Sequence, residues 1–222
     1  MSATSRRRIR WDRVSIALVL LLICASYVGW KMLLTRSVTI RLEPAGYDLT
    51  YTMAWDTGMR EKLALSKIGS LFSGTSSKWV ELWKRPYNSG LSVYRTGDGS
   101  RYYLGTVYRL FIFETASGVL RSSCDPALYP SFTELGKQLD FYRSHDVKDA
   151  LDPGGRTLFE YIEAKHQTGP VSDNPPPSRY YADLVYLGRF GLVRSDGRGN
   201  EIRFVPAGDG NEPRNSLVSQ CG

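Results

Sequence analysis

Seventeen consecutive residues without a charge, Val14 to Trp30, follow five arginines placed within the first thirteen positions. With Lys31, Met32, Leu33 and Leu34 the stretch reaches 21 residues. A helix of that length, rising 1.5 Å per residue, covers a hydrocarbon slab about 30 Å thick. Lys31 stands at the far end, where its stem lies along the helix and its ammonium reaches water. Trp11 flanks one edge, and Tyr27 and Trp30 the other, in the manner of interfacial aromatic belts. Arg6, Arg7, Arg8, Arg10 and Arg13 precede the span. The positive-inside bias then places the N-terminus in the cytoplasm and everything beyond residue 35 across the membrane.

Other fates of such a segment leave different marks. A cleavable signal has a shorter apolar core ending in small residues, whereas this one runs into Tyr27, Val28, Gly29 and Trp30. A lipoprotein signal ending at Cys24 would carry a small residue where Ile23 stands. The Arg6-Arg7-Arg8 run has the paired arginines of a twin-arginine export signal, and export by that route stays open. No second apolar run approaches 18 residues, so the chain is expected to cross once.

The formal charge of +7 suggests a nucleic-acid ligand until its distribution is read. Six of the 29 basic residues lie at or before Lys31, against the single acid Asp12. Beyond residue 34 the tally is 23 basic to 21 acidic. The excess belongs to the segment that meets a membrane surface, and no nucleic-acid partner is expected.

The remainder alternates apolar and polar residues with a period of two. Ser37 to Leu42 and Tyr47 to Ala54 form a first hairpin across Pro44-Ala45-Gly46. Leu91 to Arg95 and Arg101 to Leu104 form a second, joined by a Gly97-Asp98-Gly99 turn. Val107 to Glu114 pairs with Val119 to Ser122, and later strands are expected at Tyr181 to Leu187, Phe190 to Arg194 and Glu201 to Val205. Trp79 to Lys84 reads as a strand with Trp79 and Trp83 turned inward. Met59 to Phe72 is ambiguous, since Leu63, Ile68, Leu71 and Phe72 come near helical spacing. Ser131 and Glu134 make a capping box that opens a helix to Arg143, and Arg156 to Gln167 reads as a second. Tyr103-Leu104-Gly105 recurs as Tyr186-Leu187-Gly188, too short a match to establish duplication.

The expected fold is therefore α+β and β-dominated. One N-terminal transmembrane helix precedes a single extracytoplasmic domain of antiparallel hairpins with a helical insert. Its parts are a basic cytoplasmic tail (1–13), the transmembrane helix (14–34), the β-rich domain (35–206) and a polar, flexible tail (207–222).

Chemistry-bearing residues are sparse. His145 and His166 are the only histidines, and neither has metal-ligand spacing, so no metal and no cofactor is expected. Ser144-His145-Asp146 with Asp149 is the densest polar cluster. It reads either as a solvated helix end or as a general base, His145, oriented by Asp146 or Asp149. Cys124 and Cys221 form a disulfide if the domain lies in an oxidising compartment and their geometry permits. The glycine-rich turns join strands and feed no helix, so they are not phosphate loops.

The positive hint is aromatic. Tyr94, Arg95, Arg101, Tyr102, Tyr108, Arg109 and Tyr180 belong to stretches mixing tyrosine with arginine, the residue types that dominate interface hot spots. The rival account sends the tyrosines into a sheet core and lays the arginines over its outer face. Together these features predict a membrane-anchored, non-catalytic binding or assembly protein of the cell envelope. Its partner would be another envelope protein, as for a complex subunit, a secretion-system component or an immunity-type protein. A bacterial inner membrane, with the domain in the periplasm, is the expected setting. The alternatives are an anchored envelope hydrolase built on His145 with Asp146 or Asp149, and a domain that senses a small ligand.

Overall fold

A computed structural model of the chain describes residues 11–55, 58–70, 73–82, 90–106, 109–122, 161–181, 183–193 and 201–213. The chain divides into two compact units, Met1–Thr35 and Arg36–Gly222.

Among the described residues the first unit contains one helix, α1 (Trp11–Leu33). Its Val14–Leu33 stretch is long and apolar enough to cross a membrane, and none of it is buried. Leu18 is 60% and Leu21 67% exposed, so these side chains have no protein core to face. Lys31 places Nζ 5.7 Å from the centre of the Tyr27 ring.

The second unit is β-dominated and antiparallel. One sheet runs β1 (Thr35–Leu42), β2 (Tyr47–Trp55), β3 (Met59–Lys67), with the short β4 (Gly74–Ser76) and β5 (Val80–Leu82) both paired to β3. The other comprises β6 (Leu91–Thr96), β7 (Arg101–Thr106), β8 (Arg109–Glu114), β9 (Val119–Ser122), β10 (Leu184–Leu192) and β11 (Ile202–Pro206). Its order is β11-β10-β6-β7-β8-β9.

Alternation explains which face each strand buries. On β2, Leu49, Tyr51 and Met53 are buried while Thr50 and Thr52 stay half exposed. The inner faces of the two sheets merge into one core: Leu42, Leu49, Met53 and Leu63 from the first, Val93, Leu104, Phe111 and Phe204 from the second. Each such side chain stabilises the fold by roughly 1.5–3 kcal/mol through the apolar area it removes from water. The outer face of the first sheet is polar. There Thr39 bonds Thr50 (2.9 Å), Ser37 bonds Thr52 (3.0 Å), and Arg41 pairs with Asp48 (3.4 Å).

The outer face of the six-stranded sheet is aromatic. Tyr186, Tyr94, Tyr103 and Ile112 stand opposite one another across β10, β6, β7 and β8. Tyr180, Tyr181 and Leu184 fold over them to close a second core. The two Tyr-Leu-Gly triplets thus occupy strands on either side of β6.

The ambiguity at Met59 to Phe72 resolves in part, and four expectations change. Met59–Lys67 is a strand, because full pairing with β2 turns Glu61, Leu63 and Leu65 inward at every second residue. Residues 161–167 are not helical: Ile162 bridges to Val193 and packs with it and Val205. The two strands expected between Tyr181 and Arg194 are one, β10, which survives Gly188 through a register shift between Tyr186 and Gly188. Order continues past residue 206, since Ala207 and Glu212 are both 7% exposed. Trp79 also differs, being 40% exposed beneath the Arg60 guanidinium at 5.4 Å. The helix expected at Ser131 to Arg143 and the residue Trp83 lie outside the described residues.

Candidate functional site

The described tyrosines of the expected binding set are buried, and its described arginines differ in their surroundings. Tyr94 and Tyr102 are fully buried and Tyr180 is 7% exposed, each on a sheet face or covering one. They shape the domain from within. Arg101 remains on the surface, its Nε 3.9 Å from Glu114, which Arg121 also approaches at 3.8 Å. Arg109 is paired to Thr106 through the backbone. Tyr108, Cys124, His145, Asp146, Asp149 and Cys221 lie outside the described residues. Among the described residues no three His, Cys, Asp or Glu side chains gather as metal ligands.

Arg95 belongs to a site. It forms one wall of a cleft of about 720 Å3, together with Thr39, Ile40, Arg41, Glu43, Pro44, Asp48 and the segment Pro170–Asp173. Ligand clefts commonly fall between roughly 300 and 1,000 Å3. Thr39, Ile40 and Arg41 are consecutive on β1, whose side chains point alternately to opposite faces. A cavity that touches all three runs along the edge of the strand. β1 is also the last strand of its sheet.

Position and charge of Arg95 follow from its strand. β6 lies inside the six-stranded sheet, and Arg95 sits level with Tyr102 on β7. Its Nη1 donates to the Glu43 carbonyl (2.7 Å), as does the Tyr102 hydroxyl (3.3 Å), so both hold the turn between β1 and β2. The Nε–H of Arg95 is buried without an acceptor, and no described carboxylate pairs with the guanidinium. Burial raises the Tyr102 phenol pKa, and the neighbouring Arg95 charge opposes that rise. The cleft therefore contains an arginine whose charge is not neutralised, beside the paired Arg41 and Asp48 and the exposed Asp173.

A smaller groove of about 370 Å3 opens on the aromatic side, lined in part by His166, Arg179, Tyr186, Asp209 and Glu212. Glu212 holds it together. Its carboxylate accepts from Ser178 Oγ (2.6 Å) and the Arg179 amide (2.7 Å). Ser178 Oγ in turn accepts from the amides of Tyr180 (3.2 Å) and Tyr181 (3.0 Å). The buried Tyr94 hydroxyl lies beside this carboxylate without a hydrogen bond of ordinary geometry. Burial first, and then the charge of Glu212, push its pKa well above the usual phenol value. Glu212 and Ser178 thus fasten residues 178–181 to 212, which gives this side of the groove a structural role.

Among the described members of the predicted binding set, Arg95 lines the larger cleft, and Tyr102 shares its hold on the Glu43 carbonyl. Thr39, Ile40 and Arg41 escaped notice because an edge strand and a central strand share one alternation. Pro170–Asp173 and Glu212 carry no sequence signal that a single chain could reveal. The chain matches no known protein family, no curated protein and no solved structure.

Proposed function

We propose that this chain is a single-pass, membrane-anchored binding or assembly protein of the cell envelope. Its arginine-rich N-terminus is cytoplasmic, its sandwich lies on the opposite face of a bacterial inner membrane, and it engages another envelope protein. The observation carrying this reading is the unburied apolar helix Val14–Leu33, which belongs to a different unit from the β-rich domain, whose described residues bury a core of their own. A helix apolar all round that covers nothing within its own chain has lipid as its natural solvent. The cleft beside Arg95 gives the anchored domain a concave surface to present. Tethering raises the effective concentration of a modest binder for partners in the same membrane.

Gentle detergent extraction after reversible cross-linking tests the reading. The protein is expected to emerge in a defined complex with one envelope protein. Recovery as a lone monomer, with and without cross-linker, would refute a binding role.

A further inference from the structure

Sheet edges are the places where a β-domain can accept another chain, and this fold closes most of its own. In the six-stranded sheet, β11 is covered: the Gly169 amide bonds the Phe204 carbonyl (3.3 Å), and Arg203 Nη1 holds the carbonyls of Ala164 (2.8 Å) and His166 (2.6 Å). In the five-stranded sheet, β4 and β5 are only three residues long. Short edges offer little to pair with. β1 is different. It has eight residues, and among the described residues Thr39, Ile40 and Arg41 pair only toward β2. The segment Pro170–Asp173 lines the same cleft.

We propose that the free edge of β1 at Thr39–Arg41, together with Arg95, receives an extended peptide segment of the partner protein that carries a carboxylate. The inference rests on the binding role above and specifies the chemistry of what is bound. An exposed edge presents alternate N–H and C=O groups at the spacing of another strand, so an extended main chain satisfies them by strand addition. A cleft of about 720 Å3 has room for several residues of peptide. Arg95 supplies the selectivity. Its guanidinium is positioned by the Glu43 carbonyl through Nη1 and lacks a carboxylate of its own, so its remaining charge and donors suit an aspartate, a glutamate or a chain terminus. The exposed acid Asp173 in the same cleft favours a cationic residue elsewhere on the same peptide.

Site-specific photo-cross-linking in the native membrane tests this with the full chain. Benzoylphenylalanine is placed singly at Thr39, at Ser172, and at Val119 on β9 as a control edge. Adducts are expected at Thr39 and Ser172, absent at Val119, and mapping by mass spectrometry to one partner segment containing an acidic residue or a C-terminus. Arg95→Gln should reduce them at least tenfold and Arg95→Lys less, with melting temperature verifying that both variants fold. Adducts mapping back to this chain would mean that the cleft is filled from within, and would overturn the proposal. Adducts insensitive to Arg95→Gln would overturn it equally. If the partner is captured from Val119 alone, this inference fails while the binding role stands. If no position captures a partner, both fail.

Discussion

Gly188 makes the sharpest demand for a particular residue. Its φ of +138° lies outside the range L-residues favour, and a Cβ there would stand 2.3 Å from the Val205 carbonyl oxygen and 2.7 Å from Phe204 Cζ. Gly188→Ala is expected to cost roughly 2–4 kcal/mol by combining backbone strain with overpacking. Urea denaturation checks it: a loss below half a kcal/mol would contradict the bulge. Asp98 illustrates electrostatics at the same scale. It accepts from Thr96 Oγ1 first, and then from the Ser100 amide (3.0 Å) and hydroxyl (2.9 Å), which lowers its carboxyl pKa to about 2. A folded-state pKa below the unfolded one means that the carboxylate favours the native turn. That contribution is complete above pH 4 and is lost as pH falls toward 2. Amide exchange at Ser100 should therefore accelerate, relative to the intrinsic rate, between pH 4 and 2, and Asp98→Asn should abolish that dependence. The Asp98 turn was legible because Gly97 and Gly99 flank it. Glu212 was not: an isolated glutamate among polar residues looks like solvent-exposed tail until Ser178 and Arg179 are brought to it from 34 and 33 positions away.

At the scale of elements, period-two strands bounded by turn residues emerged close to their expected limits. β1, β2, β6, β7, β9 and β11 differ from expectation by two residues or fewer at either end. The ambiguous stretch from Met59 and the misplaced helix share one physical cause, which is tertiary pairing overriding local spacing. Leu63, Ile68, Leu71 and Phe72 come near helical intervals, yet β2 offers nine consecutive partners to Met59–Lys67. Such pairing satisfies the backbone groups on the side facing β2 and buries Leu63 and Leu65 at once. Arg156 to Gln167 looked amphipathic, but Ile162 finds its burial between Val193 and Val205 in an extended segment. Packing between the sheets also depends on one polar link that sequence could not disclose. The Tyr51 hydroxyl on β2 donates to the buried Glu61 (2.8 Å) and accepts from the Gly90 amide (3.1 Å) just before β6. Its ring stacks on Phe190, centroid to centroid 5.0 Å. Tyr51→Phe keeps the stacking and removes both hydrogen bonds. The expected loss is about 1–3 kcal/mol, since a buried carboxylate and amide are each left short of a partner. An unchanged denaturation midpoint would show that this link contributes nothing.

For the whole molecule, the distribution of charge and apolarity was more informative than any motif. Basic excess collects ahead of an uncharged helix, while the rest of the chain is nearly balanced, and this organisation was evident before any fold was known. The cleft was not, because it arises where β1 ends one sheet and Pro170–Asp173 passes beside it, a conjunction of residues 130 positions apart. The central claim is that Val14–Leu33 holds the sandwich on the far side of a membrane from the arginines. Alkaline phosphatase, which folds only where disulfides form, tests it directly when fused after Gly222 and expressed in a bacterial host. An active fusion that remains in the membrane pellet after alkaline carbonate is the expected outcome. An inactive phosphatase in a full-length, membrane-retained fusion, or an active one released into the carbonate wash, would contradict it.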